Sequence, residues 1–89
     1  MTFSYDKQKS DFNLRKHGID FEEIQELWYE PMLELPVRSK GEQRTLGIGR
    51  LAGEYWTVIY KSSPGNIRII SARRSTRIER SSYDRFING

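Results

Sequence analysis

The stretch "RIISARRSTRIERSSYDRF", Arg68 to Phe86, changes its period half-way along. "IRIISAR" reads as a strand, rich in β-branched isoleucine. Thr76 followed three residues later by Glu79 is a capping box, so a helix is expected from Arg77 to about Ile87. At about 100° per residue, Ile78, Ser82, Phe86, Tyr83 and Ile87 fall in one half of that helix. Arg74, Arg77, Arg80, Asp84 and Arg85 fall in the other. Such a separation describes a helix packed on a sheet, and a strand running straight into it points to α+β architecture. Glu79 lies in the apolar half and needs a partner. The capping bond supplies one, and a catalytic role is the alternative.

Working back along the chain, "SSPGN" is a turn built on Pro64 and Gly65, and "YWTVIYK" is a strand. "AGE" turns the chain after "RTLGIGRL", whose alternation puts Arg44, Leu46, Ile48 and Arg50 on one side. "SKGEQ" is a loop after a first strand, "PMLELPV". Short connections imply antiparallel neighbours, so four strands form a meander. Before them, "IDFEEIQELWYEP" reads as a helix capped by Asp20 and stopped by Pro31, with Phe21, Ile24, Leu27 and Trp28 as its buried stripe. An earlier helix, about Lys7 to Lys16, is capped by Asp6 and ended by Gly18. Its apolar stripe is thin, while Lys9, Asn13 and Lys16 share a face. Such a helix must lie on something or line a site. The expected architecture is therefore α+β: two N-terminal helices, a four-stranded antiparallel meander and a C-terminal helix.

Eighty-nine residues suit a single domain with a small core. The chain has no cysteine and one histidine, which leaves no disulfide, no cysteine nucleophile and no histidine-rich metal site. No apolar run approaches the roughly 20 residues that span a bilayer, and "MTFSYDKQK" lacks the apolar centre of a signal peptide. A cytoplasmic protein without a membrane partner is expected. Charge is unevenly spread. Residues 1–60 carry 8 Lys/Arg against 10 Asp/Glu, and residues 61–89 carry 7 against 2. A basic end favours a polyanionic partner, most simply nucleic acid, although ordinary surface charge is the plainer account.

Arginines on strands are the informative ones: Arg44, Arg50 and Arg68. A guanidinium in a small sheet needs a carboxylate, for which the acidic second helix is the nearest source, or a phosphate ligand. His17 closes the first helix, where it can cap the dipole or work as acid or base. Tyr55, Trp56 and Tyr60 share a strand and are expected in the core, while any exposed member could stack bases instead. RNA cleavage needs no metal: a base takes the 2′-hydroxyl proton, cations stabilise the phosphorane, and an acid protonates the leaving 5′-oxygen. Histidine, lysine, arginine and tyrosine can fill those roles.

The blocks "FSYDKQKSDFNLRKHGIDFEEIQELWYEP", "RTLGIG" and "IRIISARRSTRIERSSY" together resemble the BrnT family of type II toxin–antitoxin toxins. The likeness runs in order from about Phe3 to Tyr83. Tyr5 stands where the family usually has tryptophan, Ser75 where it has alanine, and "LWYEP" replaces Val-Phe-x-Asp-Pro. The resemblance implies a RelE-like fold and a metal-independent, cofactor-free endoribonuclease that arrests translation. Its substrate would be RNA, free or ribosome-associated. It also implies a BrnA-like ribbon-helix-helix antitoxin, two toxins with two antitoxins, and repression of the complex's own promoter through antitoxin-bound operator DNA. Carried over by motif position, the catalytic candidates are His17, Lys16, Arg68, Arg73 and Tyr83. Arg44, Arg74, Arg80 and Asn13 are the RNA and phosphate contacts, and Glu79 is an acid/base group or a cap. A non-catalytic nucleic-acid-binding or adaptor module is the competing expectation.

Overall fold

The computed structural model describes residues 1–89. Strand β1 (Thr2–Ser4) leads into helix α1 (Lys7–His17), and a 3₁₀ segment follows over Glu23–Tyr29. Strands β2 (Leu33–Ser39), β3 (Glu42–Leu51), β4 (Glu54–Ser63) and β5 (Asn66–Arg74) come next, and α2 (Arg77–Asn88) ends the chain. The sheet order is β1-β5-β4-β3-β2. The antiparallel meander expected from the four strand-like runs is present.

Two expectations are corrected. The sheet has five strands and is mixed, because β1 pairs in parallel with β5, Phe3 opposite Ile67. Three residues are too few to show a period of two, and their partner lies more than sixty residues away. The second helix is a 3₁₀ turn rather than an α-helix. Its N-cap position is Glu22 rather than Asp20, although Asp20 just ahead accepts from the N–H groups of Glu22 and Glu23 at 3.1 and 2.8 Å. Phe21, Ile24 and Leu27 recur every third residue, and a 3₁₀ winding eclipses such positions. The tighter winding buries Ile24 and Leu27 on one line, Phe21 is buried in the turn just before it, and Trp28 is only half-buried.

The tight turns follow their chemistry. Lys40-Gly41 and Ala52-Gly53 each place two consecutive residues at positive φ, the pattern of two-residue hairpins. The core lies on one face of the sheet, where Trp56, Val58, Tyr60, Ile67, Ile69 and Ala72 meet Ile19, Phe21, Ile24 and Leu27. Glycines 47 and 49 of β3 admit the covering layer. A Cβ on Gly47 would stand 2.5 Å from Met32 Sδ, and one on Gly49 would stand 3.1 Å from Leu27 Cδ2.

The other face carries Arg44, Leu46, Ile48 and Arg50 from β3, as the alternation predicts. Thr57, Ile59 and Lys61 from β4 and Arg68, Ser71 and Arg73 from β5 join them by register. α2 covers one end of this face. Of its apolar half only Tyr83 is buried: Ile78 is 77 % exposed, and Phe86 and Ile87 are nearly half exposed.

Candidate nucleic-acid interface

α1 is held by polar bonds rather than apolar burial. Phe12 and Leu14 are exposed, while Ser10 and Asn13 are buried. Ser10 Oγ accepts from the Phe21 N–H at 2.8 Å. Asn13 Nδ2 donates to the Ile19 carbonyl at 2.8 Å, and its Oδ1 accepts from the Ala72 N–H at 3.4 Å. That N–H lies on β5 beyond the stretch paired with β1. Asn13 thus fastens α1 to the open edge of the sheet. Asp6 caps the helix through the Lys9 N–H, and Gly18 at φ 83° ends it, leaving Arg15, Lys16 and His17 in its last turn.

Seated there, α1 forms one wall of a trough of about 500 Å³. Lys9, Phe12, Asn13, Lys16 and His17 line it from α1. Ser39, Lys40 and Arg44 line it from the β2–β3 hairpin, with Ile59, Ile70 and Ser71 between. Ile59 pairs with Ser71 and Tyr60 with Ile69, so Ile70 is the extra residue of a β-bulge. No carboxylate lines the trough. Neither Lys16 nor His17 enters an ion pair.

Arg44 is the best-covered cation of the trough, its side chain 13 % exposed. Its Nη2 meets Glu42 at 3.2 Å and its Nη1 reaches Ser39 Oγ at 3.5 Å, while its buried Nε has no partner. A buried donor without an acceptor is costly, and a planar guanidinium suits phosphate oxygens. Lys16 Nζ sits 5.9 Å from the exposed Phe12 ring, so the wall offers a stacking surface beside a cation.

The remaining candidates are elsewhere. Arg68 is exposed on β5, opposite Lys61. Arg73 grips Glu79 with two parallel bonds of 2.8 and 2.9 Å. Glu79 also accepts from Thr57 Oγ1 and the Thr76 N–H, so the capping box is complete and its carboxylate is fully partnered. The Arg73 bond, with help from Thr76 and Thr57, holds the Glu79 carboxyl at about 2 despite its burial. Arg74 pairs with Glu54 and lies 4.9 Å over the Trp56 ring. Arg80 is exposed on α2. Tyr83 donates to the Pro31 carbonyl at 3.2 Å, and burial raises its phenol pKa. None of the five ion pairs uses an acid of the 3₁₀ segment, which removes the second helix as counter-ion for the strand arginines.

Those acids line a different concavity of about 860 Å³, with Glu22, Glu23, Glu26 and Glu30 on its wall and Arg50 and Tyr83 facing them. Two hollows of opposite charge therefore lie on one small molecule. The structure gathers Asn13, Lys16, His17 and Arg44 into the basic hollow, leaves Arg68 outside its lining, and sets Arg73, Arg74, Arg80 and Tyr83 apart. Sequence reasoning missed Phe12, Ser39 and Lys40. The two-residue turn signal at Lys40-Gly41 places Lys40 at a hairpin tip, but only the fold brings that tip across from α1.

The profile described as "Ribonuclease toxin, BrnT, of type II toxin-antitoxin system" matches residues 5–79. The chain belongs to the BrnT family. Among solved structures, the crystal structure of the Brucella abortus ribonuclease toxin BrnT is similar at a TM-score of 0.71 and 26 % identity. The match covers 86 % of this chain and 99 % of that one. None of the curated proteins matches the chain. The BrnT profile spans α1, the 3₁₀ segment, the strands β2 to β5 and the capping box, so both walls of the basic trough lie within the matched residues.

Proposed function

We propose that this chain is an endoribonuclease toxin, a single domain acting in the cytoplasm on RNA, and that the basic trough is its site. The observation that carries the reading is the trough itself: lined by no carboxylate, walled by Lys16 and His17, and closed by a largely covered Arg44 whose Nε has no acceptor. In this reading His17 takes the proton of the 2′-hydroxyl. The freed oxygen attacks the adjacent phosphorus, a 2′,3′-cyclic phosphate forms, and the bond to the 5′-oxygen breaks. Lys16 gives that oxygen its proton. Arg44 neutralises the non-bridging oxygens as charge builds on them. Phe12 stacks a base beside the reacting sugar. This chemistry draws only on groups of the chain and needs no metal.

Asn13 serves the site by holding α1, and Arg73 and Tyr83 serve the framework, since their polar atoms are already engaged. Glu79 is a cap and counter-ion. Arg68 and Arg80 are free to meet phosphates, while Arg74 is held by Glu54. The partner is a BrnA-like antitoxin, two with two toxins, which carries the complex to its operator. The exposed apolar side chains Ile78, Phe86 and Ile87 of α2 give that antitoxin a surface to cover.

Purified protein in EDTA is expected to cut RNA and leave 5′-hydroxyl ends. His17→Ala is expected to fold normally and lose roughly 10²- to 10⁴-fold in rate, the usual contribution of one proton-transfer group. Intact RNA, free or on ribosomes, overturns the reading, and salt-sensitive binding without cleavage transfers the trough to a non-catalytic adaptor.

A further inference from the structure

Beside the trough, three cations from three strands share one carboxylate or none. Arg44 on β3 follows the same-face alternation as Glu42, two residues before it. Thr45 pairs with Tyr60, so Lys61 takes the next place along β4 on the face of Arg44. Lys61 in turn pairs with Arg68 across β4 and β5. The three side chains therefore form a row across the sheet, about 10 Å long at the usual strand spacing. Like charges set directly opposite each other in a sheet repel. Arg68 has no ion-pair partner at all.

Glu42 is the only anion in the row. Its Oε1 meets Lys61 Nζ at 2.8 Å, and its Oε2 meets Arg44 Nη2 at 3.2 Å. One carboxylate thus bridges two cations as a phosphate's two free oxygens would. It is open to solvent: Glu42 is about half exposed and follows directly on the Lys40-Gly41 turn. A rotation of its side chain would uncover both cations without moving the sheet. The bridge leaves Arg44 Nε without an acceptor, so the carboxylate does not exhaust what the guanidinium can bind.

We propose that Arg44, Lys61 and Arg68 form a subsite for an RNA backbone phosphate beside the trough, and that the Glu42 carboxylate occupies it until a phosphate displaces it. The inference rests on the RNA-cleaving reading of the trough and adds to it the path of the neighbouring nucleotide. Glu42 then lowers affinity for RNA while keeping the cations aligned and apart.

The test is binding of a 2′-O-methyl oligoribonucleotide, which cannot be cleaved, at several salt concentrations. Glu42→Gln keeps the side-chain shape and is expected to bind roughly two- to fivefold tighter, the scale of one exposed charge contact. Its plot of log K against log salt is expected to steepen by about 0.7, one added phosphate on a single strand. Glu22→Gln, in the acidic concavity, removes the same charge without freeing a cation and is expected to leave the slope unchanged. Adding Lys61→Gln to Glu42→Gln is expected to abolish the gain. Wild-type binding that Glu42→Gln leaves unchanged or weaker overturns the subsite alone. An equal gain from Glu22→Gln does the same, by showing that net charge suffices. Wild-type protein that neither binds nor cuts RNA overturns the subsite and the trough reading together.

Discussion

Glu79 shows how one carboxylate can close several backbone and side-chain accounts. It accepts from Arg73, Thr57 and the Thr76 N–H, joining β5, β4 and α2. Its pKa is held at about 2, chiefly by Arg73, below its ordinary 4.5. The folded pKa is depressed, so the stabilisation is complete above about 4.5 and is lost as pH falls toward 2. The full shift would be worth about 3 kcal/mol, but Arg73 is more than a third exposed and solvent screens the pair. Glu79→Gln is therefore expected to cost roughly 1–2 kcal/mol at neutral pH. Urea unfolding repeated from pH 7 to pH 2 should show the difference from wild type shrinking to nothing. Asn13 makes the complementary case. Its removal leaves a buried N–H and a buried carbonyl unpaired, at about 1–3 kcal/mol each. Asn13→Ala is expected to lower the unfolding midpoint markedly, whereas a pure RNA contact would alter binding and leave unfolding unmoved.

At the scale of elements, the fold depends on how closely layers approach. β3 presents Gly47 and Gly49 to the core face, and Leu27 and Met32 fill the space their missing side chains leave. Gly47→Ala drives a methyl to 2.5 Å from Met32 Sδ and 3.2 Å from Tyr60. A thioether is flexible, so Met32 can give way in part, and the expected cost is about 1–3 kcal/mol. Thermal unfolding of the variant checks it, and an unchanged melting temperature would mean that Met32 is not seated against Gly47 of β3. The segment "IDFEEIQELWYEP" meets this layer as a 3₁₀ turn. Its helical signals were legible, including the Asp20 turn and the Pro31 stop, but periods of three and of 3.6 are not separable over seven residues. α1 shows the opposite case. Its thin apolar stripe announced that it had to lie on something, yet Ser10 and Asn13 gave no hint that they were the buried residues.

For the whole molecule, charge is the organising feature. Glu22, Glu23, Glu26 and Glu30 line one hollow, and Lys9 and Lys16 of α1 with Lys40 and Arg44 line another. No carboxylate intrudes on the second, so RNA should meet an attractive trough on a molecule of net charge only +3. If Lys16, Lys40 and Arg44 each neutralise one phosphate, log K is expected to fall with log salt at a slope of about −2. Titration of a non-cleavable oligoribonucleotide between low and moderate salt measures that slope. A value near zero would mean that the trough does not grip the backbone.

Local rules written in the chain settled much of this protein. Strand alternation put Arg44 and Arg50 on one face, the capping box of Thr76 and Glu79 started α2, and the linked motifs marked the BrnT family. Each of these depends on residues a few positions apart, where geometry is nearly independent of context. Tertiary structure alone decided which basic groups meet. His17 and Arg44 stand 27 positions apart in the chain and share a trough, while the neighbours Arg73 and Arg74 meet different carboxylates, Glu79 and Glu54. The parallel pairing of β1 was equally hidden. Long-range pairing is chosen by how the whole sheet buries its core, and a charged side chain finds its partner only after that choice is made.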